Sequence, residues 1–302
     1  MTNPAGNNFV ELNEREAAAV ATLNGNYRAL QQARSRQLLI GVALFALLFY
    51  GATIAGRFDP LVLWDGAPKL GDYVYKTLPV LRWDHLFEDF DTWFYGIGKW
   101  LGLIIETVLM AYLSTLIGSG LALLLCFHAS RNLNSSGWSY FLARRLFEFC
   151  RSVPDLVFAL IFVFAFGIGP LPGILAIAIH TLGANGKLFA EANENIDVKP
   201  IDGMRASGAN WVQTIRYGVI PQVLPNYASY VLWRLEINVR AATVMGFVGA
   251  GGIGFELIVA VRSLYYEDIS AMLVMIVATV ALIDIACAKL RYRLIGTEAV
   301  TS

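Results

Sequence analysis

The chain has 302 residues, 57% of them hydrophobic and only 15% charged, with a mean hydropathy of +0.56. Twenty-three Lys and Arg balance twenty-three Asp and Glu, which excludes a nucleic-acid binder driven by bulk charge, and hydrophobicity this high excludes intrinsic disorder. A soluble domain is nearer half apolar and a quarter charged, so most of the apolar residues here belong in lipid.

Residues 1–36 are mostly polar and read as a cytoplasmic segment whose helical stretches break at Asn24-Gly25-Asn26. A spanning helix needs roughly 20 mostly apolar residues. Six candidates follow: Leu38–Gly56, Trp100–Phe127, Ser152–Ile168 with a helix start near Ser139, Leu171–Gly186, Gln222–Val248 and Ile269–Ala288. The first begins too far along the chain for a cleaved signal and is expected to stay as an anchor. Residues 57–95 form an outer loop with seven acids against four bases. Its end, Asp84–Tyr95, alternates acids with apolar residues, which suits a helix at the membrane surface or a segment packed on the bundle. An inner loop covers 187–221. The chain thus divides into 1–36, the first span with the outer loop (37–98), a core (99–293) and a cytoplasmic tail (294–302). With both termini inside, fifteen Lys and Arg fall in inner segments and six in outer ones, the bias that marks a cytoplasmic side.

Several motifs resemble chemistry without supporting it. Cys126, Cys150 and Cys287 sit in or beside apolar runs, with no C-x-x-C or Cys/His cluster, and read as small buried hydrophobes rather than disulfide or metal ligands. Gly249 to Gly254 matches G-x-G-x-x-G, but a span precedes it where a dinucleotide fold needs a strand. A Gly-rich helix end with close backbone packing fits better. Gly98-Lys99 and Gly186-Lys187 lack the remaining P-loop residues, so no ATP site is expected on this chain. His180 lies mid-span and can hydrogen-bond within the bundle. No clustered acid, base or nucleophile suggests an enzyme.

Charges inside a span cost ~2.5–3.5 kcal/mol each on insertion scales, so they face the bundle interior, pair, or line a water path. Arg144, Glu148, Arg151 and Asp155 follow spacings of 4, 3 and 4 and would form one stripe on the third helix, with Pro154 able to kink it. On the fifth span Arg234 and Asn238 share a face, and Glu236 and Arg240 are spaced to bridge. These groups are either self-neutralising structural pairs or a polar lining and gate for an anionic solute. The candidate path residues are Glu148, Arg151, Asp155, Arg234, Glu236, Asn238 and Arg240.

The inner loop reads as a helix–turn–helix. Pro200 suits a first helical turn, Asp202 favours a helix N-terminus, Gly208 suits the turn, and Pro221 marks the start of the fifth span. A loop of this length suits the docking of a soluble partner. It resembles the coupling loop of ABC-importer permeases, whose pattern is Glu-Ala-Ala, a Gly, then Ile-x-Leu-Pro. Asp202, Gly203 and Met204 fall on Glu-Ala-Ala, Gly208 on the Gly, and Gly218, Ile220 and Pro221 on Ile, Leu and Pro. The two Ala positions and the Ile depart from the pattern. Gly183–Glu191, Arg205–Pro225, Gly246–Leu257 and Arg151–Leu160 are together similar to phosphonate-type permeases, the PhnE family, over roughly residues 100–293.

That resemblance implies an all-α type I ABC-importer (MetI-like) fold in the cell inner membrane. It also implies a homodimer, two cytoplasmic ABC ATPases that carry the ATP and Mg, and an extracytoplasmic solute-binding protein. The coupling segment would be Pro200, Ile201, Asp202, Gly203, Met204, Arg205, Ala206, Ser207 and Gly208. Binding-protein docking would fall at Gly249, Gly251, Gly252 and Gly254. The expected solute is phosphonate, with phosphite, another phosphorus oxyanion or methionine as alternatives. A secondary transporter would show matching broken halves, which this sequence lacks.

Overall fold

The computed structural model describes residues 6–79, 82–134 and 136–295, and the regular elements among them are helices. The chain forms two compact units, Met1–Asp72 and Tyr73–Ser302. The expected tail lies outside the described residues from position 296 onward.

In the first unit, α1 (Gly6–Ala55) is one continuous helix. The expected break at Asn24-Gly25-Asn26 is absent. One Gly costs a helix about 1 kcal/mol, and the Ala, Leu, Gln and Arg residues that follow are strong helix formers. A four-residue elbow with Arg57 in the left-handed region (φ 50°) leads to α2 (Pro60–Thr77). Asp59 Oδ1 accepts from Leu61 N at 2.9 Å and so covers an open donor at the start of α2.

The outer segment continues in the second unit. A short 3-10 turn (Trp83–His85) leads to α3 (Leu86–Trp93), the helix expected near 84–95. It packs on the bundle: Trp93 and Phe94 lie against the cluster of Trp100, Ile104 and Met272, and Trp93 Nε1 donates to Ser270 Oγ at 2.9 Å. Arg82 straps the entry to Asp89 through its backbone N–H (2.7 Å) and guanidinium (2.8 Å). The hydrogen bond from Arg82 holds the Asp89 carboxyl below the usual carboxylate range.

The core is built on α4 (Ile97–Cys126) and α7 (Pro170–Glu194), which pack closely. In lipid, helices associate through small residues that let backbones approach. The buried stripe of α4 runs Ala111, Ser114, Thr115, Gly118, Ser119, Ala122. A Cβ at Gly118 would lie 2.5 Å from Ala178 O, so only Gly allows this contact.

The expected third span is not one helix. α5 (Gly137–Ser152) and α6 (Asp155–Phe166) meet at 85°. Pro154 supplies no N–H, and the residue before it, Val153, is extended (φ −80°, ψ 124°). The fourth span is longer than its hydropathy suggests. α7 runs on to Glu194 because Asn185, Gly186, Phe189, Ala190 and Asn193 keep a helical period of buried positions. Lys187 and Glu191 pair on its outer side at 3.5 Å, so the inner connection begins at 195 rather than 187.

α8 (Lys199–Ala206) follows, and then a rod that starts at Trp211 rather than Gln222. The rod comprises α9 (Trp211–Gln213), a π-helical turn (Thr214–Val219) and α10 (Ile220–Met245). A 3-10 turn (Gly246–Val248), α11 (Gly252–Ser263) and α12 (Tyr266–Ile295) complete the chain. Among the described residues four helices are long and apolar enough to cross a membrane. Counting each of two bent pairs as one span brings the number to six, the number expected.

Candidate functional site

Three places hold the residues singled out in the sequence. The first is α8. Pro200 sits in its first turn and Ile201 is buried at 1% exposure, among Cys126, Phe127, Phe189, Ile215, Val219 and Tyr227. Asp202, Gly203, Arg205, Ala206, Ser207 and Gly208 are exposed, and Met204 is half-buried. One apolar side chain therefore seats the helix while its polar face stays open. Gly208 takes φ +77°, which an L side chain adopts only with strain, and so turns the chain toward the rod.

Asn210 then caps α9: it accepts from Gln213 N at 2.9 Å, and Gln213 Oε1 accepts from Asn210 N at 2.9 Å. Two further bonds tie the segment down. Trp211 Nε1 donates to Leu133 O at 3.0 Å, and Arg205 Nη2 to Asn132 O at 3.3 Å. On the other side Asp197 N donates to Gln222 Oε1 at 3.1 Å. The helix is thus clamped between the turn after α4 and the base of α10.

The second place is the polar interior. The expected stripe along the third helix does not form, because the bend at Pro154 puts Asp155 on a different helix. Arg144 bonds Glu194 of α7 at 2.8 Å, Glu148 pairs with Arg145 at 2.6 Å, and Arg151 is exposed. On α10, Arg234 and Asn238 do share a face, and both are buried. They converge on α7 and α4: Arg234 contacts His180 Nδ1 and Thr181 Oγ1 of α7, and Asn238 Nδ2 donates to Thr181 Oγ1 at 2.9 Å and to Thr115 Oγ1 of α4 at 2.8 Å.

The Glu236–Arg240 bridge is absent. Glu236 pairs with Arg291 of α12, and Arg240 with Asp284 of α12 at 3.5 Å. Both pairs are interhelical because α10 and α12 lie side by side. Sequence reasoning missed Thr115, Ser119, Thr181, Asn185, Asp284 and Arg291. The signal for the first four was a small-polar stripe at helical spacing; for the last two it was a lone acid and a base on the final span.

The third place is the glycine corner. Gly249, Gly251 and Gly252 take φ of 86°, 81° and 71°. Gly249, Gly252 and Gly254 are buried, and Gly251 is half-buried. Thr107 Oγ1 of α4 accepts from Ile253 N at 2.9 Å, and Gly249 O accepts from Gly169 N at 3.0 Å. The corner therefore locks α10 and α11 onto α4 and the turn before α7. A helix, not a strand, leads into it.

Residues 114–288 match the family described as binding-protein-dependent transport system inner membrane component. The phosphite transport system permease protein PtxC of Stutzerimonas stutzeri is 37% identical over 256 residues, 85% of this chain and 89% of the relative. The phosphate-import permease protein PhnE of Mycolicibacterium smegmatis is 41% identical over 236 residues, 77% of this chain and 42% of the relative. Among solved structures, the inward-facing MetNI methionine ABC transporter matches with a TM-score of 0.57 and 21% identity, covering 66% of this chain and 98% of that one. This likeness shows that the expected MetI-like fold is present.

Proposed function

The chain belongs to the binding-protein-dependent transport system inner membrane component family, and on that premise we propose that it forms the translocation pathway for phosphonate or a related phosphorus oxyanion, phosphite and phosphate included. It is a permease subunit of an ABC importer, a transport component rather than an enzyme. Its family works with an ATPase and a binding protein. In this reading two ATPases with their ATP and Mg dock inside, a second copy of the chain completes the pathway, and both termini are cytoplasmic.

The observation that carries the reading is the seat of α8. Its open face, from Asp202 to Gly208, is offered to a soluble motor, while Ile201 seats the helix against Ile215 and Val219 of the rod and the Trp211 and Arg205 bonds tie the segment to the turn after α4. A two-state swing of the spans follows from such a lever. Asp202→Lys leaves Ile201 seated and the chain in the membrane. It is expected to lower ATPase retention in a pull-down, and transport in proteoliposomes, several-fold. Unchanged retention and transport would remove the coupling assignment.

For the path itself, Arg234 is a buried cation whose contacts, His180 and Thr181, are groups able to be neutral; among the described residues no carboxylate pairs with it. A guanidinium held in this way favours passage of an anion. Asn238 shares Thr181 with Arg234, while Glu236 and Arg240 of the same helix face α12, and Glu148, Arg151 and Asp155 flank the bend at Pro154. Binding-protein docking then falls to the exposed surface around the glycine corner, since Gly249, Gly252 and Gly254 are themselves buried. Arg234→Ala is expected to change transport or the resting ATPase rate. Wild-type values for both would leave Arg234 a structural residue. Uptake that persists without ATP but collapses with an ion gradient would overturn the whole reading.

A further inference from the structure

Helix α2 is the least explained part of the molecule: it is 18 residues long, buries no residue, and carries too many charges to cross a membrane. Its sequence is nevertheless ordered around the helix. At about 100° per residue, Asp65, Lys69, Asp72 and Lys76 fall within an arc of about 60°. Leu63, Ala67, Leu70 and Val74 fill the opposite arc, and Trp64 and Tyr75 border it on one side and Tyr73 on the other. Leu61 and Val62, in the first turn, are the two large apolar residues at the edges of the polar arc. Leu63, Leu70 and Val74 are exposed by 67%, 65% and 52%, so the described residues leave this apolar stripe open.

We propose that α2 lies flat in the outer bilayer interface, with lipid as the occupant of its apolar face. Three observations select lipid over a protein. First, both ends adjoin helices long and apolar enough to span a membrane. Four residues separate Pro60 from the end of α1, and Tyr73 packs edge-on against Tyr266, the first residue of α12, with ring centroids 5.7 Å apart. Second, the apolar face turns back toward the end of α1. Gly56, Arg57 and Phe58 of the elbow share an open groove of about 560 Å³ with Leu63, Ala67 and Leu70, room for an acyl chain. Third, the polar stripe alternates acid and base with no net charge, and aromatic rings mark its borders. That pattern suits a zwitterionic surface and needs neither a charged partner nor anionic lipid.

The test uses the full chain in phosphatidylcholine vesicles, alone and with its ATPase. Spin labels are placed one at a time as Leu63→Cys, Leu70→Cys, Val74→Cys, Asp65→Cys, Lys69→Cys and Asp72→Cys. Labels at 63, 70 and 74 are expected to meet dissolved oxygen several-fold more than a water-soluble nickel chelate, and labels at 65, 69 and 72 the reverse. Nickel access on both faces would put the helix in water, and apolar-face labels shielded from both reagents would put a protein over it. Either result overturns the proposal while leaving the transport reading untouched.

Discussion

Gly254→Val is expected to abolish the folded permease. A Cβ at Gly254 would sit 1.8 Å from the carbonyl oxygen of Thr243, and one at Gly246 would sit 2.3 Å from Phe255 N. Both obstacles are backbone, so no rotamer change relieves them. Overpacking a core costs ~1–3 kcal/mol where side chains can move, and the cost here exceeds that range because two helices must part. The expected result is loss of monodisperse protein after detergent extraction. The contrast is Gly102→Ala in α4, where a Cβ meets nothing within 4 Å. That exposed helical position should gain up to about 1 kcal/mol. Folded Gly254→Val protein with normal thermal stability would show that the two helices do not close against each other at this corner.

Sequence and structure agree where hydropathy and backbone chemistry speak directly. The number of spans, the turn at Gly208 and the glycine corner follow from residues that allow few alternatives, and Pro154, expected only to kink the third span, breaks it. Two kinds of feature were not legible. The inner ends of α7 and α10 were set too short because apolar content falls there, although a period of buried positions persists through Phe189 and Asn193. The Asn210–Gln213 capping box was readable in principle and marks the true start of the rod. Ion-pair choice was not readable. Spacing along one helix offers Glu236 to Arg240, but only the approach of α12 decides that each pairs elsewhere. For the same reason Arg234 and Asn238 could be placed on one face, while His180 and Thr181 could not be placed opposite them.

Glu236 and Arg291 should therefore show strong non-additivity. Their side chains are 10% and 30% exposed, the most enclosed interhelical pair joining α10 to α12. Glu236→Met strands a guanidinium in low dielectric, and Arg291→Met strands a carboxylate. Removing one partner of a buried pair costs about 3 kcal/mol, with the Arg291 exposure pulling that figure down rather than up. Replacing both with Met removes the desolvation cost together with the attraction, so the double variant should recover most of the lost stability. Thermal unfolding of the four proteins in one lipid composition reads the cycle. Additive losses would mean that the two charges do not act as a unit. A strong coupling has a mechanical consequence, because α10 continues the rod whose base is clamped to α8, and Glu236 then ties α12 to whatever moves that rod. The double variant should keep its fold yet respond less to the ATPase, since an apolar contact between the helices holds their register less tightly than the ion pair does.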